Sequence, residues 1–164
     1  MSAKSPNCTS SFAQAMGKNE DDFEDKRQMI CAVHAAVGAA IGKAVGKTGG
    51  AFASGIATHL IGDLLPHKDF DPRAEAPLLA LTLGVIGWRC GLKSPEFAGA
   101  VGAIAPDFEN AAGVTGLIPK TAMRFPTHIG DGKHHGPKVK SAWPQGVLAL
   151  VCLLFVFWPK EKVA

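Results

Sequence analysis

Three polar side chains recur at every fourth position of one apolar stretch in this 164-residue chain. They are His59, Asp63 and His67, and the last follows Pro66 directly. Residues four apart lie on one face of a helix, so we expect His59 and Asp63 on a single stripe, with His67 just past its end. Imidazole nitrogens and carboxylate oxygens together suit Zn²⁺, Mn²⁺ or Fe²⁺. The spacing therefore predicts a divalent-metal site.

Alternating helix directions bring further candidates to the same end of a helical bundle. His34 lies near the start of the first apolar stretch, and the acids Asp107 and Glu109 follow the fourth. The predicted metal ligands are His34, His59, Asp63, His67 and Asp107. Asp69 or Glu109 is the predicted general base for an attacking water. The remaining histidines of the chain, His128, His134 and His135, fall on the same side.

Each candidate also has an ordinary structural explanation. A lone His34 is commonly a core histidine bonded to a backbone carbonyl, and His59 with Asp63 forms an i, i+4 pair. Asp107 could simply end a helix, and Glu109 could be solvated.

The energetic cost of a charged Asp63 favours a metal. A charged residue in an apolar membrane helix costs about 2.5 to 3.5 kcal/mol, and a bound metal would offset this cost.

Five apolar stretches must position these residues. They cover residues 29–46, 51–65, 76–92, 95–106 and 145–158, in a chain that is 47% hydrophobic. Three of them approach the length of a membrane span and two fall short, so length does not decide. Hydropathy and the tryptophans near their ends predict an all-α membrane bundle of about five helices, with a soluble, fully buried helical protein as the alternative. Residues 1–28 form a polar tail that we expect to be disordered, residues 29–164 the membrane domain, and residues 113–143 a basic loop.

The charge distribution predicts an orientation and partners. In the five-helix arrangement, eleven Lys and Arg residues lie on the amino-terminal side and six on the other. The positive-inside rule then predicts an integral membrane protein whose amino terminus lies in the cytoplasm. The expected partners are the lipid bilayer, an anionic phosphate or lipid headgroup at the basic loop, and other membrane proteins. A net charge of +3 gives no reason to expect nucleic acid.

Two segments forty residues apart share the pattern G-x-[LI]-[LA]-P-[HD]-x-[DE]. They are residues 62–69, GDLLPHKD, and residues 102–109, GAIAPDFE. Each would close a hairpin of two helices, so the pattern predicts two helical-hairpin repeats at about residues 29–69 and 70–110. Prolines that end small-residue helices near water offer the simpler explanation.

The string HLIGDLLPHKDFD, the second tip GAIAPDFEN and the early His34 resemble the inner-membrane metal-dependent hydrolase family of small bacterial proteins. The resemblance covers residues 29–110. It implies roles for His34, Asp63, His67, Asp69 and Asp107 and a hydrolytic activity. The family's His-Arg-Gly-x-Thr-His-Ser motif is absent, and residues 127–136, THIGDGKHHG, replace it loosely.

The leading functional prediction is a metal-dependent hydrolase of a phosphoester or lipid-linked substrate. The first alternative is a non-catalytic integral membrane protein that serves as an accessory or structural subunit. A small transporter is the second alternative, because Asp63 would lie within the membrane.

Overall fold

The computed structural model describes residues 31–68, 72–125, 136–137 and 139–159. These ranges contain five α-helices, a 3₁₀-helix and no β-strand, which confirms the all-α prediction of about five helices. The helices are α1 (Cys31–Val45), α2 (Thr48–Leu64), α3 (Pro72–Cys90), α4 (Pro95–Val114) and α5 (Trp143–Phe157), with the 3₁₀-helix at Lys120–Ala122. The predicted disordered tail, the candidate base Asp69 and the histidines of the basic loop (His128, His134 and His135) lie outside the described residues.

Local sequence explains where the helices meet. Gly46 follows α1 with a φ of 72°, and Gly91 follows α3 with a φ of 91°. Such positive φ angles end helices and favour glycine. Ser94 then begins α4, since its side-chain oxygen accepts a hydrogen bond from the backbone N–H of Phe97 at 3.0 Å. Short turns therefore fold α1 against α2 and α3 against α4.

The centre of the molecule is formed by α1, α2 and α4, which make the most extensive helix contacts. Their facing positions carry small residues, because a Cβ atom added to Gly38 or Gly55 would overlap the carbonyl oxygen of Gly99. Glycine at these positions lets the helix backbones approach closely. The close approach brings together side chains that project from three different helices.

The other two helices lie at the periphery. The α5 helix packs on α1 and buries only Gln145 and Val156. Lys43 of α1 holds the carboxyl end of α5. The ammonium group of Lys43 donates hydrogen bonds at 2.6 to 3.0 Å to carbonyl oxygens at the end of α5. A cation at this position also complements the helix dipole.

One helix is longer than its sequence indicates. The fourth apolar stretch ends at Pro106, whereas α4 continues through this proline to Val114. Proline lacks an N–H, so the helix interior loses one hydrogen bond there while packing keeps the helix intact. Asp107 therefore lies within a helix. The first matched segment differs, since α2 ends at Leu64, before Pro66. The division into repeats stays a prediction.

The helix lengths contradict membrane insertion. The helices α1 and α5 have 15 residues each and α2 has 17, while the longer α3 and α4 contain several charged residues. Within the described ranges, no helix combines the length and the apolar character that a bilayer crossing needs. The prediction of an integral membrane protein with a cytoplasmic amino terminus is therefore wrong. Hydropathy alone showed neither where each helix ends nor which charged residues each helix includes.

Candidate metal centre

Four predicted ligands meet in the core at one end of the bundle. His34 lies in the first turn of α1, His59 and Asp63 in the last turns of α2, and Asp107 in the second half of α4. All four are buried, with exposed fractions of 0 to 7%. The alternating directions of the helices, together with the glycine contacts among α1, α2 and α4, place these four side chains together.

Asp63 lies between the two imidazoles. Its Oδ1 is 3.3 Å from Nε2 of His34, and its Oδ2 is 3.2 Å from Nε2 of His59. Ligand atoms bound about 2.05 Å from a tetrahedral zinc ion lie about 3.3 Å apart. Each separation is compatible with two neighbouring zinc ligands and is also that of an ion pair, with a different carboxylate oxygen of Asp63 facing each imidazole.

The imidazole of His59 is oriented by the backbone of α4. Its Nδ1 is 2.7 Å from the carbonyl oxygen of Ala103. A carbonyl oxygen only accepts, so Nδ1 carries the proton and donates. In the neutral ring, the lone pair is then on Nε2, which faces Asp63. Histidine ligands of metals are commonly oriented by this kind of hydrogen bond. Oδ2 of Asp107 lies 3.7 Å from the same Nδ1 atom of His59.

His34 offers a nitrogen that hydrogen bonding leaves available. Its ring packs on that of His59 with the centroids 4.2 Å apart. Its buried Nε2 lies near Asp63 but lacks the alignment of a hydrogen bond. Burial lowers the pKa of His34, which keeps the ring neutral at pH 7. Neutral imidazole is the form that binds metal.

The two aspartates have opposite pKa shifts. Burial alone would raise the pKa of Asp63, but its close contacts with the imidazoles of His34 and His59 lower it overall. Burial raises the pKa of Asp107 to about 7. For His59, burial favours a lower pKa, but the contact with Asp63 and the charge of Asp107 raise it overall. Asp63 is therefore ionised at neutral pH, and Asp107 is close to its midpoint.

The arrangement can hold a metal ion. His34, His59 and Asp107 can each present one ligand atom so that all three lie within 4.8 Å of one another. This buried group of His34, His59 and Asp107 could therefore hold a metal ion, and the participation of Asp63 stays a prediction. The choice among zinc, manganese and iron stays a prediction.

His67 lies just beyond this group. It is 2% exposed, and its Nδ1 donates to the carbonyl oxygen of Leu65 at 2.8 Å, so the lone pair of the neutral ring is on Nε2. Its backbone pairs with residues 137 and 139, and Gly136 donates to the carbonyl oxygen of Asp63 at 2.7 Å. His67 is thus buried and oriented next to α2, and its role as a ligand stays a prediction.

Glu109 has a defined structural contact. Its carboxylate accepts hydrogen bonds of 2.9 to 3.0 Å from the backbone N–H groups of Arg124 and Phe125. These bonds hold the segment after the 3₁₀-helix against α4. The contact explains Glu109 without catalysis, and its role as a general base stays a prediction.

Sequence reasoning missed two residues beside this group, Cys31 and Glu75. Cys31 begins α1, and Glu75 lies in the first turn of α3. The backbone N–H of Cys31 donates a hydrogen bond to Oε1 of Glu75 at 2.5 Å, and burial with the charges of Asp107 and Glu75 raises the pKa of the Cys31 thiol. The alternation of helix directions could have found them, since the starts of α1 and α3 lie at the same end of the bundle.

No family model, no protein of curated function and no solved structure matches this chain.

Proposed function

We propose that this protein is a metal-dependent hydrolase of a phosphoester, with its metal centre at His34, His59, Asp63 and Asp107. The convergence of these buried ligands from three helices carries the proposal. The contacts of Asp63 with both imidazoles match the separation of neighbouring zinc ligands. The short motifs around Asp63 and Asp107, which resemble the inner-membrane metal-dependent hydrolases, also support hydrolysis.

The energetics of burial favour a bound cation. Two carboxylates and two imidazoles occupy a region that excludes water, where an ionised group is costly unless it is paired or coordinates a metal. Asp107 shows this cost in its raised pKa. A divalent ion would be attracted to both carboxylates and would use the lone pairs of the imidazoles.

The residues around the centre have separable roles in such a reaction. A bound divalent ion would lower the pKa of a water molecule and polarise a phosphoryl oxygen. The carbonyl group of Ala103 orients His59, and the contact with Asp63 places His34 beside it. Asp69 stays the predicted general base. The lipid-linked substrate depended on membrane insertion and is not part of this proposal.

Burial also favours a second function, in which the metal only holds the helices together. Structural zinc sites are closed by protein ligands, whereas catalytic sites keep one open position. The four ligands here are 0 to 7% exposed. A structural ion would join α1, α2 and α4 without any reaction.

Metal binding is tested by elemental analysis of the purified full chain after chelation and reconstitution with zinc. We expect one zinc ion per chain in the wild type and a large loss in Asp63→Asn and Asp107→Asn, since an amide is a weaker ligand than a carboxylate. Glu96→Gln is the matched control. Glu96 is another buried acid of α4, about 16 Å from Asp107 along the helix axis. The reconstitution is repeated with manganese and with iron, and absence of all three metals from the wild type would overturn both candidate functions.

Catalysis is tested on the same proteins with an aryl phosphomonoester and an aryl phosphodiester as probes. The hydrolase proposal predicts turnover that requires added zinc or manganese and that Asp63→Asn abolishes. Glu96→Gln is expected to keep it. Stoichiometric zinc with no turnover of either probe would instead support the structural ion.

A further inference from the structure

A cavity of about 390 Å³ opens at the end of the bundle opposite to the metal centre. It lies between the last turns of α1, α3 and α5 and the first turn of α4. Along α1, Lys43 at the cavity is about 14 Å from His34 at the metal centre. Pockets that hold small ligands have volumes of about 300 to 1,000 Å³. The cavity therefore has the size of a ligand pocket and is separate from the metal centre.

The charged side chains of this cavity are two cations and one acid, Lys43, Arg89 and the buried Glu96. The ammonium group of Lys43 donates to three carbonyl oxygens, which carry no net charge and leave its positive charge in place. Within the described ranges, neither cation forms an ion pair with a carboxylate. The cavity therefore has a net positive charge, which favours an anionic ligand.

The guanidinium group of Arg89 is positioned by aromatic rings. Its Cζ atom lies 5.9 Å from the ring centroid of Trp88 and 5.9 Å from that of Phe157. Contacts with ring faces leave the in-plane N–H donors unused, and among the described residues these donors form no hydrogen bond. A guanidinium group binds carboxylate and phosphate oxygens through two such donors at once. Arg89 is therefore suited to bind an oxyanion at the cavity.

Apolar side chains form the wall of the cavity contributed by α5. They are Val156, Phe157 and the exposed Trp158. An inorganic anion would leave this wall in contact with water, whereas an organic anion would bury apolar surface against it. The combination of cations with an apolar wall favours a ligand that has both an oxyanion and an apolar group.

We propose that this cavity is a binding site for a small organic anion, in which a phosphate, phosphonate or carboxylate is joined to an apolar group. Arg89 binds the oxyanion through two N–H groups, and Lys43 contributes its positive charge. Val156 and Trp158 contact the apolar group. The site shares no residue with the metal centre, so it extends beyond the proposed hydrolase and does not depend on it.

Titration calorimetry of the full chain tests the ligand class with three probes. Phenylphosphonate has the oxyanion and an apolar ring, inorganic phosphate has only the oxyanion, and benzyl alcohol has only the ring. We expect phenylphosphonate to bind at least about tenfold more tightly than either of the other two, because only this probe uses both parts of the cavity. Equal binding of phenylphosphonate and inorganic phosphate, or no binding of phenylphosphonate, would overturn the inference.

Substitutions at the cavity test its location. Arg89→Gln should lower the phenylphosphonate affinity about tenfold or more, since a charge-assisted pair of hydrogen bonds is lost. Arg89→Lys keeps the charge without the paired donors and should lower the affinity about threefold, which also covers a loss of folding in Arg89→Gln. Lys93→Gln is the matched control, because Lys93 is an exposed cation near the end of α3 that does not line the cavity.

Two further results would contradict this location. Equal affinities for the wild type and both Arg89 variants would show that Arg89 does not bind the anion. Loss of binding in Asp63→Asn, with binding kept in the Arg89 variants, would place the anion at the metal centre instead. Wild-type binding that Asp63→Asn keeps and Arg89→Gln loses would support the cavity, whether or not the protein binds zinc.

Discussion

The two aspartates of the site have the same side chain and titrate differently. Asp63 contacts two imidazoles, and these contacts outweigh the effect of burial on its pKa. Asp107 is 7% exposed, and burial dominates its pKa even though His59 is near. The difference follows from the neighbours of each carboxylate. At neutral pH, Asp63 is therefore the carboxylate of the site that stays ionised.

The raised pKa of Asp107 predicts how metal affinity depends on pH. Below about pH 7, Asp107 holds a proton that a metal must displace. The apparent zinc affinity should therefore fall as the pH is lowered through 7, by about tenfold per pH unit for each displaced proton. The raised pKa of His59 acts in the same direction.

Titration calorimetry at pH 6 and pH 8, in buffers of different ionisation enthalpy, measures this effect and counts the protons released. Glu96→Gln is the control and should show the wild-type dependence, because its site carboxylates are unchanged. A zinc affinity that is the same at both pH values would contradict the assignment of Asp107 and His59 as ligands.

At the scale of the helices, the site depends on the close packing of α1, α2 and α4. Gly38 lies one turn after His34 on α1 and faces the carbonyl group of Gly99 on α4. A backbone group cannot swing aside as a flexible side chain can. A larger residue at Gly38 must therefore push α1 away from α4, and His34 would move with α1.

Gly38→Ala should lower the free energy of unfolding by about 1 to 2 kcal/mol, because the overlap outweighs the higher helix propensity of alanine. It should also weaken zinc binding. Gly49→Ala is the matched control, since Gly49 is an exposed helical glycine of α2 with open space around its Cβ position. It should leave stability unchanged or raise it by up to about 1 kcal/mol.

Urea unfolding of the two variants, followed by circular dichroism, gives both free energies. If Gly38→Ala proved as stable as Gly49→Ala, the close approach of α1 and α4 would not hold in solution.

At the scale of the whole molecule, a metal at this site would join three helices through side chains far apart in the chain. An ion that binds only the folded state stabilises it by mass action. At a free zinc concentration one hundred times the Kd, the gain is about 2.7 kcal/mol. For a chain of this size, the expected rise in Tm is about 5 to 10 °C.

Thermal unfolding with and without zinc measures the shift in Tm. Asp63→Asn is expected to show no shift under the same conditions, while Glu96→Gln should shift as the wild type does. A Tm that does not respond to saturating zinc would show that the ion does not link the helices in the folded state.

The sequence by itself determined the helical class and the end of the bundle where His34, His59 and Asp63 lie. These features depend on local spacing and on the alternating directions of consecutive helices, which can both be counted along the chain. His59 and Asp63 share a face because they are four residues apart, whatever packs around them.

Only the tertiary structure decided which candidate site residues come together. It also decided whether the helices are long enough to cross a membrane. Packing carries α4 through Pro106, which places Asp107 within a helix, and backbone contacts occupy Glu109. The helix bounds overturned membrane insertion, because hydropathy sums the apolar character of a stretch without showing where its helix ends. Contacts such as that of His34 with Asp63 join residues distant in the chain, and local spacing does not record them.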